Sequence, residues 1–173
     1  PCHLRYNYEQ QQQYTGKRSP FFTTVRYPAD KATGKIKAME ADWIVDHGPY
    51  SEFGDLLTLR GAQYIGAGYG IENIGGLGKT VCTNHGWGAA FRGYGAPESE
   101  FASEVLIDEL AEKLGMDPLE LRAVNCYKPG DTNPSGQAPE VFSLPDMIDI
   151  MRPKFKAAKE TAAANSTDTV KRG

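Results

Sequence analysis

The chain is 173 residues long with 40% hydrophobic and 24% charged residues, the size and composition of one ordinary globular domain, which excludes wholesale disorder and a bundle of domains. A formal net charge of −3, with no basic block to neutralise a row of phosphates, excludes nucleic acid as the partner. Nineteen glycines exceed the usual ~7% of residues, and ten of them lie between Gly66 and Gly95, where tight turns or close backbone approaches are therefore expected.

In chain order, Tyr6 to Tyr14 surrounds the run Gln10-Gln11-Gln12-Gln13 and reads as a polar loop or strand edge. Phe21 to Tyr27 and Ile36 to Val45 are rich in aromatic and β-branched residues on either side of a Gly34-containing loop, which predicts a β-hairpin. Along its second strand Met39, Ala41, Trp43 and Val45 share one face while Ile36, Ala38 and Glu40 share the other, so one side alone is expected to be buried. From Gly54 to Tyr64 the period becomes helical, with Leu56, Leu59, Arg60 and Gln63 at helical spacing and Asp55 near the positive end of the helix dipole. Gly66, Gly68, Gly70, Gly75, Gly76 and Gly78 predict a loop, and Lys79 to Thr83 a short strand.

The second half reads as helical. Phe101, Val105, Leu106, Leu110 and Leu114 form a stripe on a helix from Pro97 to Leu114, with Pro97 suited to the first turn and Gly115 to the C-terminal stop. Ser99 and Ser103 then fall on the exposed side. Asp117 caps a short helix toward Cys126, with Glu120 three residues on. A Gly/Pro/Asn loop spans Pro129 to Pro139, Ser143 and Asp146 cap a helix around Met147 to Met151, and Pro153 breaks or restarts it. The expected class is α+β, a β-hairpin and strands followed by helices, organised as a β-rich region over residues 1–85, a ligand loop over 86–97 and a helical region over 97–163.

No stretch approaches the ~18 apolar residues of a membrane span, and the N-terminus lacks a signal pattern. Cys2, Cys82 and Cys126 are odd in number and widely spaced, which fits neither a disulfide framework nor paired thiolate ligands. A cytoplasmic protein with no membrane partner is expected. The chain starts Pro1-Cys2-His3 and ends Lys171-Arg172-Gly173, which reads as an excerpt from a longer protein.

The phosphate-binding glycine patterns fail. Asn73-Ile74-Gly75-Gly76-Leu77-Gly78-Lys79-Thr80 needs glycine at Asn73 to be a P-loop, and Gly68-Tyr69-Gly70 and Gly93-Tyr94-Gly95 lack the third glycine of a dinucleotide turn. Cys82 and His85 are too few for a structural zinc site and read as strand residues. His47 reads as belonging to a turn, and no nucleophile elbow is present. The remaining segment, Ala89 to Glu98, is a glycine-hinged turn that delivers Arg92 between Phe91 and Tyr94 to the N-terminus of the longest predicted helix. Backbone amides, guanidinium and helix dipole together favour an anionic ligand, with an aromatic ring available to a planar group. A loop in which Arg92 pairs with Glu98 or Glu100 is the alternative.

This segment resembles the molybdopterin-binding signature of the xanthine oxidase family, Ala-Phe-Arg-Gly-(aromatic)-Gly-(small)-Pro-(Gln/Glu), which Ala90 to Glu98 fill without a gap. Tyr14 to Pro20, Asp46 to Tyr50, Asn73 to Asn84 and Leu114 to Asn125 are similar to further family segments, most closely those of bacterial molybdenum aldehyde oxidoreductases. The resemblance implies a molybdenum hydroxylase that oxidises a small aldehyde to a carboxylic acid using molybdopterin cytosine dinucleotide, with no protein ligand to the metal. Ala90, Phe91, Arg92 and Gly93 would line the cofactor. Tyr94 would face the substrate, and Leu56 is favoured over Arg60, one helical turn away, as the residue lining the substrate channel. Two [2Fe–2S] clusters, the general-base glutamate and a further pterin-binding loop are expected outside this chain. By the same resemblance the parent enzyme is a homodimer passing electrons to an acceptor protein whose identity the sequence leaves open, and this piece alone is inactive. The alternative from another class is a non-catalytic α+β module for a pterin- or nucleotide-like anion.

Overall fold

Alternation along one strand organises the structure. In the computed structural model, which describes residues 1–50 and 53–172, strand β2 (Met39–Asp46) buries Met39, Ala41, Trp43 and Val45, the face the sequence predicts. Strand β1 (Phe21–Arg26) pairs antiparallel with it, Phe21 opposite Val45 and Arg26 opposite Glu40. Strand β2 starts at Met39, later than the expected Ile36. Ile36, expected on the opposite face, is buried in the same core; it forms an isolated bridge to Ala29 and donates its N–H to Asn125 Oδ1 at 2.8 Å, so a buried side chain replaces the strand partner there.

Strand β3 (Ile74–Val81) lies parallel to β2 on its other edge, giving the order β1-β2-β3. Here the expectation of a loop followed by a strand at Lys79–Thr83 fails, because Gly75, Gly76 and Gly78 are strand residues. Close packing explains the second and third of these. A Cβ on Gly76 would lie 1.7 Å from the Ala41 carbonyl oxygen, and one on Gly78 would lie 2.5 Å from the Trp43 ring. Propensity reasoning penalises glycine in strands and does not see such contacts. Parallel neighbours need a crossover, and helix α2 (Gly54–Tyr64) supplies it at the predicted position.

Helix α2 and helix α3 (Ala96–Leu114) pack on the Trp43 face of the sheet, where Leu57, Ile107 and Ala111 join the β2 side chains in one core. The buried side of α3 corrects the sequence reading: Ser99, Ser103, Ile107 and Ala111 are buried, while Phe101 is 72% exposed. Small residues at i, i+4 spacing bring the helix close to the end of α2, where the Ser103 hydroxyl donates to the Ile65 carbonyl. Ser99 turns its hydroxyl to the Gly95 carbonyl at 2.8 Å. Gly115 ends α3 at φ 66° as expected.

Helix α4 (Pro118–Asn125) has Asp117 as its cap, the carboxylate accepting from Leu119 N–H at 2.9 Å. Helix α5 (Leu144–Asn165) runs through Pro153 without the predicted break, and Ser143 precedes it without a side-chain cap bond. Pro153 and Asp149 are both exposed, so water can take the carbonyl that proline leaves unpaired. Lys159 to Asp117 at 2.8 Å and Arg152 to Glu120 at 3.1 Å hold α5 to α4 on both sides of the proline.

Helix α1 (Tyr8–Tyr14) replaces the polar loop or strand edge expected there. Its start is a capping box: Asn7 Oδ1 accepts from Gln10 N–H at 2.8 Å and Gln10 Oε1 from Asn7 N–H at 3.0 Å. The architecture is α+β, and no helix of the described residues is long and apolar enough to cross a membrane.

The glycines of β3 provide a stability test. Gly76→Ala is expected to cost about 3 kcal/mol, the upper end of ordinary overpacking. Gly75→Ala, whose added Cβ meets nothing within 4 Å among the described residues, should cost less than about 0.5 kcal/mol. Urea midpoints at unchanged m-value distinguish the two, and equal shifts would contradict the packing account.

Candidate functional site

The segment between β3 and α3 reaches its place through close backbone contacts with residues 16–19. Lys17 N–H donates to the Trp87 carbonyl at 3.1 Å, and Ala89 N–H donates to the Lys17 carbonyl at 2.9 Å. A Cβ on Gly16 would lie 2.2 Å from Ala89 Cβ, and one on Gly88 would lie 2.1 Å from Ser19 Oγ and 2.6 Å from His47 Nδ1. His47, expected in a turn, is fully buried and hydrogen bonds Ser19 Oγ at 2.8 Å. Glycine at both crossing points permits this approach.

Two successive turns then carry the chain into α3. Tyr94 N–H donates to the Phe91 carbonyl at 2.7 Å and Ala96 N–H to the Gly93 carbonyl at 3.2 Å. Gly93, Tyr94 and Gly95 have φ of 88°, 45° and 93°. Left-handed backbone at a tyrosine is strained, and two contacts hold it: the half-buried ring packs against the core, and its hydroxyl donates to the Phe53 carbonyl at 2.8 Å. Burial, and secondarily the Asp55 charge, raise the Tyr94 pKa. A Cβ on Gly95 would come 3.0 Å from the Leu57 carbonyl oxygen and 3.1 Å from Arg60 Cβ, so the second turn sits directly on α2.

The turns separate donors from acceptors. The carbonyls of Phe91 and Gly93 accept from within the turns, and that of Arg92 accepts from Arg18 Nη2 at 2.6 Å. The amides of Ala90, Phe91, Arg92 and Gly93 meet no acceptor among the described residues, and all four residues are exposed. Four backbone donors on exposed residues are therefore left without a protein acceptor among the described residues.

The structure brings Ala90, Phe91, Arg92, Gly93 and Tyr94 into one feature against α2. Leu56 and Arg60 are both exposed on that helix. The Arg60 guanidinium donates to Gln63 Oε1 at 3.1 Å and lies 6.0 Å from the Tyr64 ring centre, which draws it toward the C-terminal end of α2. The pairing of Arg92 with Glu98 or Glu100 is not seen. Glu98 pairs at 2.9 Å with Arg18, whose guanidinium also stacks 4.7 Å from the Phe91 ring centre. Sequence reasoning does not single out Arg18, although its segment, Tyr14 to Pro20, is among those that resemble the family. Glu100 is half-buried, and burial followed by the nearby Glu104 charge raises its pKa.

Cys82 and His85 lie just past the end of β3 and not within it. His85 Nδ1 bonds to the buried Asp46, which also accepts from the Thr83 hydroxyl at 2.5 Å and Gly48 N–H at 3.2 Å. These bonds, the Thr83 hydroxyl foremost, lower the Asp46 pKa against the opposing effect of desolvation. No group of three or more His, Cys, Asp or Glu among the described residues is arranged to hold a metal ion.

Unpaired amides on exposed residues, with glycines, an arginine and an aromatic ring among them, suit a large polar ligand. The molybdopterin cofactor-binding domain family matches residues 1–126, and the chain belongs to that family as a molybdopterin-binding segment of the xanthine oxidase group. It is 72% identical over all 173 residues to the aldehyde oxidoreductase of Megalodesulfovibrio gigas, of which it covers 19%. A solved structure of the Desulfovibrio gigas aldehyde oxidoreductase superimposes with a TM-score of 0.90 at 73% identity, over 96% of this chain and 18% of that one. The xanthine dehydrogenase/oxidase of Mus musculus is 32% identical over 147 residues, which is 84% of this chain and 11% of that protein.

The Asp46 cluster links stability to pH. Its folded-state pKa is depressed, so its contribution is present above the ordinary carboxylate value of about 4 and is lost as pH falls through the lower folded value. Asp46→Asn should lower the denaturation midpoint at pH 7, with the gap to wild type closing below about pH 4. A gap that stays constant down to pH 2, on the order of two units below that value, would contradict a stabilising carboxylate.

Proposed function

We propose that the chain is the cofactor-holding portion of a molybdenum hydroxylase that oxidises aldehydes to carboxylic acids. The observation that carries this reading is the 72% identity to an aldehyde oxidoreductase along the whole chain, with the unpaired amides of the exposed residues Ala90 to Gly93 as its physical counterpart. When bound, the cofactor supplies two-electron oxidation: an aldehyde and water become a carboxylic acid, two protons and two electrons. The cytosine dinucleotide form of molybdopterin and two [2Fe–2S] clusters elsewhere in the parent belong to the same reading. So do a cytoplasmic location, a homodimeric parent and a separate electron-acceptor protein.

The chain's own residues bind and orient. Ala90, Phe91, Arg92 and Gly93 offer backbone N–H groups, a cation and an aromatic ring to a polar, anionic cofactor, and such a fixed donor array needs no reorganisation when charge develops nearby. Tyr94 is held rigidly by Phe53 and the core, which suits a wall of the substrate pocket better than a proton donor. Leu56 lines the substrate path on the exposed face of α2, and Arg60, drawn toward Gln63 and Tyr64, is the weaker candidate. The general base belongs to another region of the parent enzyme.

The test uses the full-length enzyme from a host that makes the cofactor. Arg92→Ala should lower molybdenum and pterin content and aldehyde turnover together, by tenfold or more. Leu56→Asn should raise KM for an apolar aldehyde about tenfold with kcat little changed, the size expected for an altered hydrophobic pocket, while Arg60→Gln leaves both near wild type. The enzyme reading fails if the wild type carries no molybdenum or does not oxidise aldehydes. The Leu56 assignment fails if Arg60→Gln alone moves KM.

A further inference from the structure

We propose that Arg18 is a positioning residue for the cofactor turn: by holding the Arg92 carbonyl it fixes the direction in which the Gly93 N–H points. The inference rests on the proposed function for the identity of what the turn binds, and on the geometry for what Arg18 does.

Residues 91–94 form a turn closed by Tyr94 N–H on the Phe91 carbonyl at 2.7 Å, with Gly93 at φ 88°, the pattern of a type II turn. Types I and II differ by a flip of the central peptide, here Arg92–Gly93, and glycine in the third place tolerates either. A peptide unit is planar and trans, so its carbonyl and N–H point to opposite sides. Whatever holds the Arg92 carbonyl therefore also aims the Gly93 amide.

Arg18 Nη2 donates to that carbonyl at 2.6 Å. The same guanidinium pairs at 2.9 Å with Glu98, whose side chain is only 9% exposed, and its central carbon Cζ lies over the Phe91 ring, 4.7 Å from the ring centre. One planar group thus spans the turn from Phe91 to the first turn of α3, and its fork of donors is geometrically fixed. Its backbone is fixed as well, between the bonds of Lys17 to residues 87 and 89 and the Ser19–His47 contact. Lysine carries one donor centre and no plane to stack, so it cannot make all three contacts together.

The experiment compares R18M, R18K and the double variant R18M/E98Q in the full-length enzyme purified from a cofactor-producing host. R26M, which breaks an exposed pair with Glu40, serves as the control. Molybdenum and pterin per polypeptide, the Mo(V) resonance spectrum and the melting temperature are measured. R18M/E98Q removes both charges and leaves no carboxylate buried without its partner. It should retain at least tenfold less cofactor than wild type, with an altered Mo(V) spectrum in the loaded fraction. R18K should be intermediate and R26M unchanged. Wild-type cofactor content and spectrum in R18M/E98Q overturn the proposal; if that variant does not fold, wild-type content and spectrum in R18K overturn it. A wild-type enzyme with no molybdenum or pterin defeats the functional reading, whereas a loaded wild type with equally loaded variants defeats the role of Arg18 alone.

Discussion

The structure depends on how closely residues 16–19 can lie against residues 87–89. Two glycines set that distance. Gly16 lies where any side chain would strike Ala89, and Gly88 where one would strike Ser19 and the buried His47. With the approach made, Lys17 exchanges backbone hydrogen bonds with Trp87 and Ala89, and the segment leading to the turn at residues 91–94 is fixed against the residues that precede β1. A loop held only at its ends would sample many directions, and ordering it would cost about 1–2 kcal/mol per residue when ligand binds. Here folding has already met that cost.

Six of the glycines serve three physical uses. Gly16 and Gly88 permit two backbone segments to touch. Gly76 and Gly78 let β3 lie against Ala41 and the Trp43 ring, and so fix the sheet edge from which the chain departs for the turn. Gly93 and Gly95 adopt left-handed backbone that other residues reach only with strain. Only this third use lies within the turns that lead into α3; the other two place them.

What is legible in the sequence is mainly local. The hairpin strands, the bounds of α2, the glycine stop of α3 and the Asp117 cap all follow from patterns within ten or so residues. Strand β3 and the buried side of α3 do not, because each is decided by a distant partner. Ala41 and Trp43 make glycine the fitting strand residue, and the close end of α2 makes Ser99 and Ser103 better interior residues than Phe101. Helix α1 is legible in principle, since Asn7 and Gln10 are a capping box in sequence; the polar glutamine run, with no apolar stripe to mark a helix, masks it. At the site, the motif locates the turn, whereas the partner of Glu98 requires knowing that Arg18, 80 positions earlier in sequence, crosses the same place.

Tyr94 shows how the turn keeps an unfavourable backbone. Left-handed φ at a residue with a Cβ costs roughly 1–2 kcal/mol, and glycine at this position would avoid the cost. Glycine would also lose the ring from the core and the hydroxyl bond to Phe53. That bond is worth about 1 kcal/mol net, and partial burial of the ring adds an amount of the same order. The side chain therefore offsets the strain that its own backbone position creates. Because Phe53 immediately precedes α2, the same bond fixes the start of the helix bearing Leu56 and Arg60 to the turn bearing Arg92. Helix start and turn are in this way held in one frame, and a change that loosens Tyr94 would disturb both together.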